Sequence, residues 1–465
     1  MNVVGQRGAG KRRAGFARLA VSGVALLPEG LGAFAERVAS ARGAVRSLDL
    51  QYYLWHNDLT GALLAREILH AADRGVRVRL LLDALNIIGK DGSLTALAAH
   101  PRIQIRRFNA GRLRRWGQPG LFLEMLLGGW HLNRRMHNKA WIADGAKLIC
   151  GGRNIGDRYF DAGGDFNFRD LDVRVHGSAA EPAATIFEAY WRSPLARPLG
   201  RIAQLRARRA SLRRLRKLLD RRAAAPHAAD LLAQTSDARM LGISEHALSI
   251  LADPPAKAGS RHVSGTVAPA LMALLATAQR EALIISPYFV PGPAGTALLA
   301  RLVASGVRVA VITNSLAATD VVAVHGGYTR YRAMLLAAGV EIFEMKASVE
   351  TKAGLFGSKG ASLHTKAVMV DDGPVFVGSF NMDPRSTALN TEMGVILDHR
   401  GLARLLHRQH RRLADGGRSW RVQLLNGRLA WTDERGPPLS REPAASWRRR
   451  LVAWAMRWLP IESQL

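Results

Sequence analysis

Two stretches of the chain carry the same reactive residue types at the same spacing: MHNKAWIADGAKLICGGRNIGD, residues 136–157, and LHTKAVMVDDGPVFVGSFNMD, residues 363–383. In each, a His stands two positions before a Lys and an Asp follows five positions after that Lys. Alternation through both stretches predicts a strand with His137, Lys139 and Trp141 on one face, and another with His364, Lys366 and Val368 on one face. A Lys ammonium can bind a phosphate oxygen, and a neutral imidazole beside it can attack phosphorus or carry a proton. Asp144 and Asp371 are candidates to orient or balance each pair. The motifs close on Gly151-Gly152-Arg153-Asn154 and Gly378-Ser379-Phe380-Asn381. Small residues there let the backbone approach a phosphate, and Asn154, Ser379 and Asn381 can donate to its oxygens. A lone His on a strand is usually structural; the duplication argues for chemistry. Neither motif holds a Cys/His or acidic cluster, so no metal or cofactor is expected.

The elements around the motifs repeat as well. SLDLQYYLW (47–55) reads as a strand, a helix follows from Thr60 with Leu63, Leu64, Ile68 and Ala71 on one face, Gly75 ends it, and VRVRLLLD (76–83) is the next strand. ALIISPYFV (282–290), GTALLARLVASG (295–306) and VRVAVITN (307–314) repeat that unit. The interval from Gly75 to Gly306 nearly equals that from His137 to His364. Strands alternating with helices imply an α/β fold with a helix-flanked sheet in each half. A chain of 465 residues also exceeds one ordinary core. The expected domains are 15–195 and 236–415, with a basic helical linker at 196–235 and an extension at 416–465. In the linker, Ile202, Leu205, Leu212, Leu215 and Leu219 form a helical stripe among basic residues. That suits either a solvated connecting helix or a surface facing phosphate or lipid.

Sixty-six Lys and Arg against 37 Asp and Glu give a net charge of +29, which favours phosphate-bearing partners: nucleic acid, anionic lipid or both. The single Cys150 excludes an internal disulfide and suits a reducing compartment. The apolar run at 19–27 is signal-like but short, broken by Ser22 and Gly23, and leads into a strand-helix pattern. The run at 121–130 is interrupted by Glu124, and no segment reaches the roughly eighteen apolar residues of a spanning helix. The expectation is a cytoplasmic protein, peripheral on the inner face of a bacterial cell membrane.

With both motifs in view, the sequence resembles the phospholipase D superfamily, whose HxKxxxxD motif occurs twice and is followed by GSxN. Within it, the chain is similar to the bacterial cardiolipin synthases of the C type, through LDLQYYLWHNDLTG, SPYFVPGPAG, DPRSTALNTEMG and the C-terminal EPAASW and WLPIE. The resemblance implies two similar domains, each a mixed sheet flanked by helices, related by pseudo-twofold symmetry and bringing both motifs to one site. It implies a covalent phosphohistidine intermediate without a metal. One His attacks phosphorus, the other protonates the departing alkoxide and then deprotonates the acceptor, while the lysines and asparagines stabilise the equatorial oxygens. Glu392, and Asp170 or Asp172, are candidates to hold the imidazoles. Gly152 departs from the pattern, which has Ser there.

The expected function is a phosphatidyltransferase of the cardiolipin synthase kind. Its implied substrates are phosphatidylglycerol, with phosphatidylethanolamine as a second lipid. The alternatives are a hydrolytic phospholipase D, a nuclease on the same scaffold, which the charge alone favours, and a catalytically idle membrane scaffold, which two complete motifs argue against. The C-terminal SWRRRLVAWAMRWLP places Trp447, Leu451, Trp454 and Trp458 on one helical face with Arg448, Arg449, Arg450 and Arg457 around them. That face suits an anionic membrane boundary, or tryptophans packed on the body. Ser446 is placed to cap this helix and Pro460 to stop it. The sequence leaves open which His is the nucleophile, the oligomeric state and the need for a helper protein.

Overall fold

The computed structural model describes residues 22–87, 91–111, 120, 123–124, 133–199, 210–260, 263–347, 361–433, 436–459 and 462–464. The first half supplies strands β1 (Gly23–Leu27), β2 (Ser47–Tyr52), β3 (Arg77–Asp83), β4 (Ile103–Phe108), β5 (Ala140–Ala143), β6 (Lys147–Gly151), β7 (Asn167–Arg169), β8 (Asp172–His176) and β9 (Ala196–Pro198), followed by the short β10 (Leu241–Gly242). The second supplies β11 (Leu248–Ala252), β12 (Glu281–Ile285), β13 (Arg308–Asn314), β14 (Glu341–Met345), β15 (Ala361–Leu363), β16 (Ala367–Val370), β17 (Pro374–Gly378), β18 (Met393–Asp398), β19 (Ser419–Leu425) and β20 (Arg428–Thr432).

Two mixed sheets result. The order β1-β8-β6-β5-β2-β3-β4 in the first repeats as β11-β18-β17-β16-β12-β13-β14 in the second. In both, three parallel strands (β2-β3-β4, β12-β13-β14) meet an antiparallel partner, β5 or β16, that begins one residue after the motif lysine. The crossover helices Leu59–Asp73 and Gly292–Ala304 join matching parallel strands. Gly75 and Gly306 follow these helices and turn the chain into β3 and β13 with φ of 98° and 88°, a conformation that costs Gly little. The signal-like run at 19–27 ends as strand β1, with residues 19–21 outside the described residues.

Strand alternation divides the core. Leu48, Leu50, Val78, Leu80 and Trp141 face the first half's outer helices, and Ile284, Val309, Val311 and Val368 face the second's. The opposite faces share one central core. Ile142, Leu148, Cys150 and Val173 pack in it with Ile285, Ile312, Met369 and Val377, and helices Glu181–Arg192 and Arg400–Ala414 are part of it. The halves therefore meet over a shared apolar interior. A two-stranded parallel sheet, β7 with β15, stitches them beside the motifs.

The connecting helix is observed as Ala210–Ala223. Leu212, Leu215 and Leu219 pack on the first half's core, and Arg66–Asp220 and Arg216–Asp73 ion pairs hold it there. Ile202 and Leu205 lie outside the described residues, as do Pro460 and most of the run at 121–130. No helix among the described residues is long and apolar enough to cross a membrane.

Candidate active site

Each HxK motif lies in an extended segment just before its strand, not within it as the alternation predicts, because the backbone there bonds across to the other half. His137 N–H donates to Thr391 O at 2.9 Å, and His364 N–H donates to Arg169 O at 2.8 Å. The residue after each acceptor is a carboxylate, and it takes the imidazole. His137 Nδ1 lies 2.9 Å from Glu392 Oε2, and His364 Nδ1 lies 2.5 Å from Asp170 Oδ2. The halves thus exchange carboxylates: each His is oriented by the half that does not contain it. With Nδ1–H donated to a carboxylate, Nε2 of each ring is left to face a reactant.

The lysines follow the same pseudosymmetry. Lys139 Nζ donates to His137 O at 2.6 Å, and Lys366 Nζ to His364 O at 2.5 Å. Aromatic rings wall the site: Tyr53 stands edge-on to His137, with ring centroids 5.0 Å apart, and Tyr159 and Phe168 flank His364.

Burial makes the site hungry for an anion. Loss of hydration lowers Lys139 to about 7 and Lys366 to about 8, and the two ammonium charges also oppose each other. His137 is lowered to about 4, first by burial and then by the lysines, against the pull of Glu392. His364 is lowered by burial and by both lysines. Burial raises Glu392, but His137 and Lys139 outweigh that and hold it below its usual value, whereas burial raises Asp170. A phosphodiester placed among these groups relieves the repulsion between the lysines.

Sequence reasoning left Asp170 and Asp172 as alternatives. Asp172 pairs with the buried Arg37 at 2.9 Å and Arg153 at 3.5 Å, and Asp170 takes the His. The structure does not bring Asp144 or Asp371 to the His–Lys pairs. Both sit at φ near 52° in the turn that ends β5 or β16. There Asp144 accepts N–H bonds from Val45, Arg46 and Ser47, and Asp371 accepts them from Gln279, Arg280 and Glu281. Burial alone raises them, but these donors hold both carboxylates below their usual value. The five-residue spacing from the Lys is the length of a four-residue strand plus its turn.

Asn154 accepts from Leu54 N–H and donates to Tyr159 Oη, while Asn381 Oδ1 is buried without a partner among the described residues. Ser379 and Ser386 hydroxyls both donate to Glu392, and Glu392 N–H donates to Asp253, which is paired with buried Lys257 at 2.7 Å. Ser386, Asp253 and Lys257 were not read from the sequence. They occur once, so no repeat marks them.

Gly152 now has a reason. It is the counterpart of Ser379, since Gly151 pairs with Asp172 as Gly378 pairs with Gly394. By the same register Asp170 is the counterpart of Glu392. A Cβ on Gly152 would stand 2.0 Å from Asp170 Oδ1. The shorter Asp carboxylate occupies the space that the Ser side chain fills in the other half. Arg153 turns away, donating to Leu27 O, Pro28 O and Asp170 O. Among the described residues, the cluster spaced for a metal ion is His325, Glu344 and Glu442. It lies apart from both motifs, and Arg332 pairs with its carboxylates at 2.8 and 2.7 Å, placing a fixed cation there.

A family model described as "Cardiolipin synthase, PLD-like domain" matches residues 36–191 and 271–414. The chain is 39% identical over 461 residues to cardiolipin synthase C of Escherichia coli K12, covering 94% of each. It is 26% identical to cardiolipin synthase A of Pseudomonas entomophila, covering 83% of this chain and 67% of that one. Among solved structures, the phosphatidylserine synthase of Haemophilus influenzae shares the fold at a TM-score of 0.62, with 14% identity and 95% of both chains covered.

Proposed function

The chain belongs to the cardiolipin synthase, phospholipase D-like family, and from this premise and the site geometry we propose that it is a phosphatidyltransferase that joins two phospholipids into cardiolipin. The observation that carries the reading is the crossed pairing of His137 with Glu392 and His364 with Asp170. Paired imidazoles, each with its Nδ1–H held, supply the two groups that a double displacement needs.

In the proposed first step, Nε2 of one neutral imidazole attacks phosphorus of a phosphatidyl donor. The other imidazole, protonated once the anionic diester is bound, gives its proton to the departing alkoxide. A phosphatidyl-histidine remains. The second imidazole then takes the proton of an acceptor hydroxyl, whose oxygen attacks phosphorus and frees the first imidazole. With phosphatidylglycerol as donor and acceptor, the products are cardiolipin and glycerol. Lys139 and Lys366 balance the charge that develops on the equatorial oxygens. Asp144 and Asp371 serve by fixing the strands behind the lysines. The reaction takes place at the surface of an anionic membrane, with the protein peripheral on its inner face.

The test is incubation of purified protein with phosphatidylglycerol liposomes, with and without phosphatidylethanolamine, and mass spectrometry of the lipid and headgroup products. Cardiolipin with released glycerol or ethanolamine is expected. Phosphatidic acid without cardiolipin would make the protein a hydrolase instead.

A further inference from the structure

The C-terminal helix Trp447–Trp458 packs closely along helix Val322–Ala337 by one narrow face and leaves the rest of its surface open. Ser446 caps it, accepting Arg449 N–H at 3.3 Å. Ala453 is its buried residue, seated over Gly326, where an added Cβ would lie 2.7 Å from Ala453 O. The other face is bare: Trp447 is 67% exposed, Leu451 54%, Trp454 61% and Trp458 69%. Tryptophans packed on the body are therefore not what this helix has. Arg448 lies over the Trp447 ring and Arg457 over the Trp458 ring. An apolar face edged by arginines fits the boundary between headgroups and acyl chains of an anionic bilayer. The net charge of +29 attracts the protein to the same surface.

The helix is also tied to the loops beside the histidines. Arg449 Nε donates to Leu316 O at 2.9 Å, and its Nη2 donates to Thr319 O. The next residue, Asp320, accepts Tyr288 Oη–H at 2.7 Å, and its negative charge favours the protonated forms of His364 and Lys366. Beyond the helix, Arg330 donates to Arg457 O and Leu459 O and pairs with Glu462. Gln464 meets Asn133, four residues before His137, and accepts from Arg385. One end of the helix thus holds the Asp320 loop, and the tail after the other end reaches the segment leading into the first motif.

We propose that the helix Trp447–Trp458 docks the protein on an anionic lipid bilayer, and that Arg449 and the tail at 462–464 fix the loops of the histidine site to the docked helix. Binding the membrane and ordering the site are then one event. The inference rests on the lipid reading above for its consequence, but its binding step stands on the helix alone.

Two variants test it. Trp454→Glu with Trp458→Glu changes only exposed side chains, so the fold should be retained, as an unchanged melting temperature would verify. Cosedimentation with phosphatidylglycerol vesicles should weaken by at least roughly tenfold. Quenching by brominated acyl chains should fall with it, and turnover of vesicle lipid should fall in proportion. Turnover of a water-soluble phosphodiester with a chromogenic leaving group should stay within about twofold. Arg449→Ala should keep vesicle binding yet lose about tenfold in turnover of vesicle lipid, because the docked helix no longer holds the Asp320 loop. Unchanged vesicle binding by the double Trp variant would overturn docking. So would a wild-type dimer that the double variant dissolves without any change in vesicle binding; the helix would then be a face between copies. Wild-type turnover of Arg449→Ala on vesicles would overturn the coupling. If wild type turns over neither substrate but binds vesicles through the tryptophans, docking stands and the catalytic reading fails.

Discussion

Replacing Lys139 by Met should make the protein more stable and inactive at once. Lys139 is 1% exposed, and burial lowers its pKa from 10.5 to about 7. At roughly 1.36 kcal/mol per tenfold change in proton affinity, that fall corresponds to about 4–5 kcal/mol against the charged fold. The sign follows from linkage. Between pH 7 and 10.5 the unfolded chain binds the proton more tightly, so this penalty is complete below about pH 7 and vanishes above 10.5. Met keeps the stem and removes the charge. It also removes the Nζ–H bond to His137 O, which offsets about 1–2 kcal/mol. The expected gain is about 2–3 kcal/mol at pH 7, shrinking steadily toward pH 10. Lys366, lowered less far to about 8, should give a smaller gain. Urea or thermal unfolding at pH 6 to 10 measures this, with lipid turnover measured alongside. A gain at pH 7 that fades with pH, together with activity reduced by orders of magnitude, is the expected pair. A variant that is destabilised at pH 7, or whose gain does not change with pH, would refute the buried-charge reasoning.

Three further outcomes are expected. Inorganic phosphate should bind more weakly as pH rises above about 7, by up to about tenfold per pH unit for each lysine that must take up a proton; calorimetry in buffers of different ionisation enthalpy should show proton uptake, and pH-independent affinity would contradict it. Gly152→Ser should push Asp170 off His364 and lower turnover by roughly 10- to 100-fold with little loss of stability, whereas a fully active variant would mean the carboxylate has room to move. Asp144→Ala and Asp371→Ala should each cost about 1–3 kcal/mol of stability by freeing three backbone donors, while the protein that stays folded keeps most of its turnover number; loss of turnover without loss of stability would return these aspartates to the chemistry.

What could be read from the sequence was what repeats or alternates. The strand-helix-strand unit, the two HxK motifs and the terminal Trp face are periodic patterns within a few dozen residues, and they appear as β2–β3, β12–β13, the paired histidines and a helix with its tryptophans exposed. Glu392 and the Asp170/Asp172 pair were found as candidates because they follow the motifs closely. Choosing Asp170 needed the register of β6 on β8, which puts Asp172 under Arg37 and Arg153. Asp144 and Asp371 show the reverse case. Their spacing was plain, but spacing alone cannot distinguish a side chain aimed at an imidazole from one that closes a turn, and the positive φ decides for the turn. Gly152 was visible as a departure, and its cause lies eighteen positions along the chain in Asp170. The Asp253–Lys257 pair lies within one turn of chain and Ser386 lies close before Glu392, but nothing in the sequence ties the pair to the site: it reaches it through Glu392 N–H and Ser386 O, which come from a distant segment.

One site built by both halves makes a demand on each histidine separately. The decisive measurement is cardiolipin formation from labelled phosphatidylglycerol by His137→Ala, by His364→Ala and by an equimolar mixture of the two, all verified as folded. Each single variant should lose at least about 10²–10⁴ in rate, since each lacks either the nucleophile or the acid–base partner. Because each carboxylate reaches its histidine within one chain, the mixture should be as inactive as its components. Substantial cardiolipin formation by either single variant would show that one motif suffices, and would contradict the shared site.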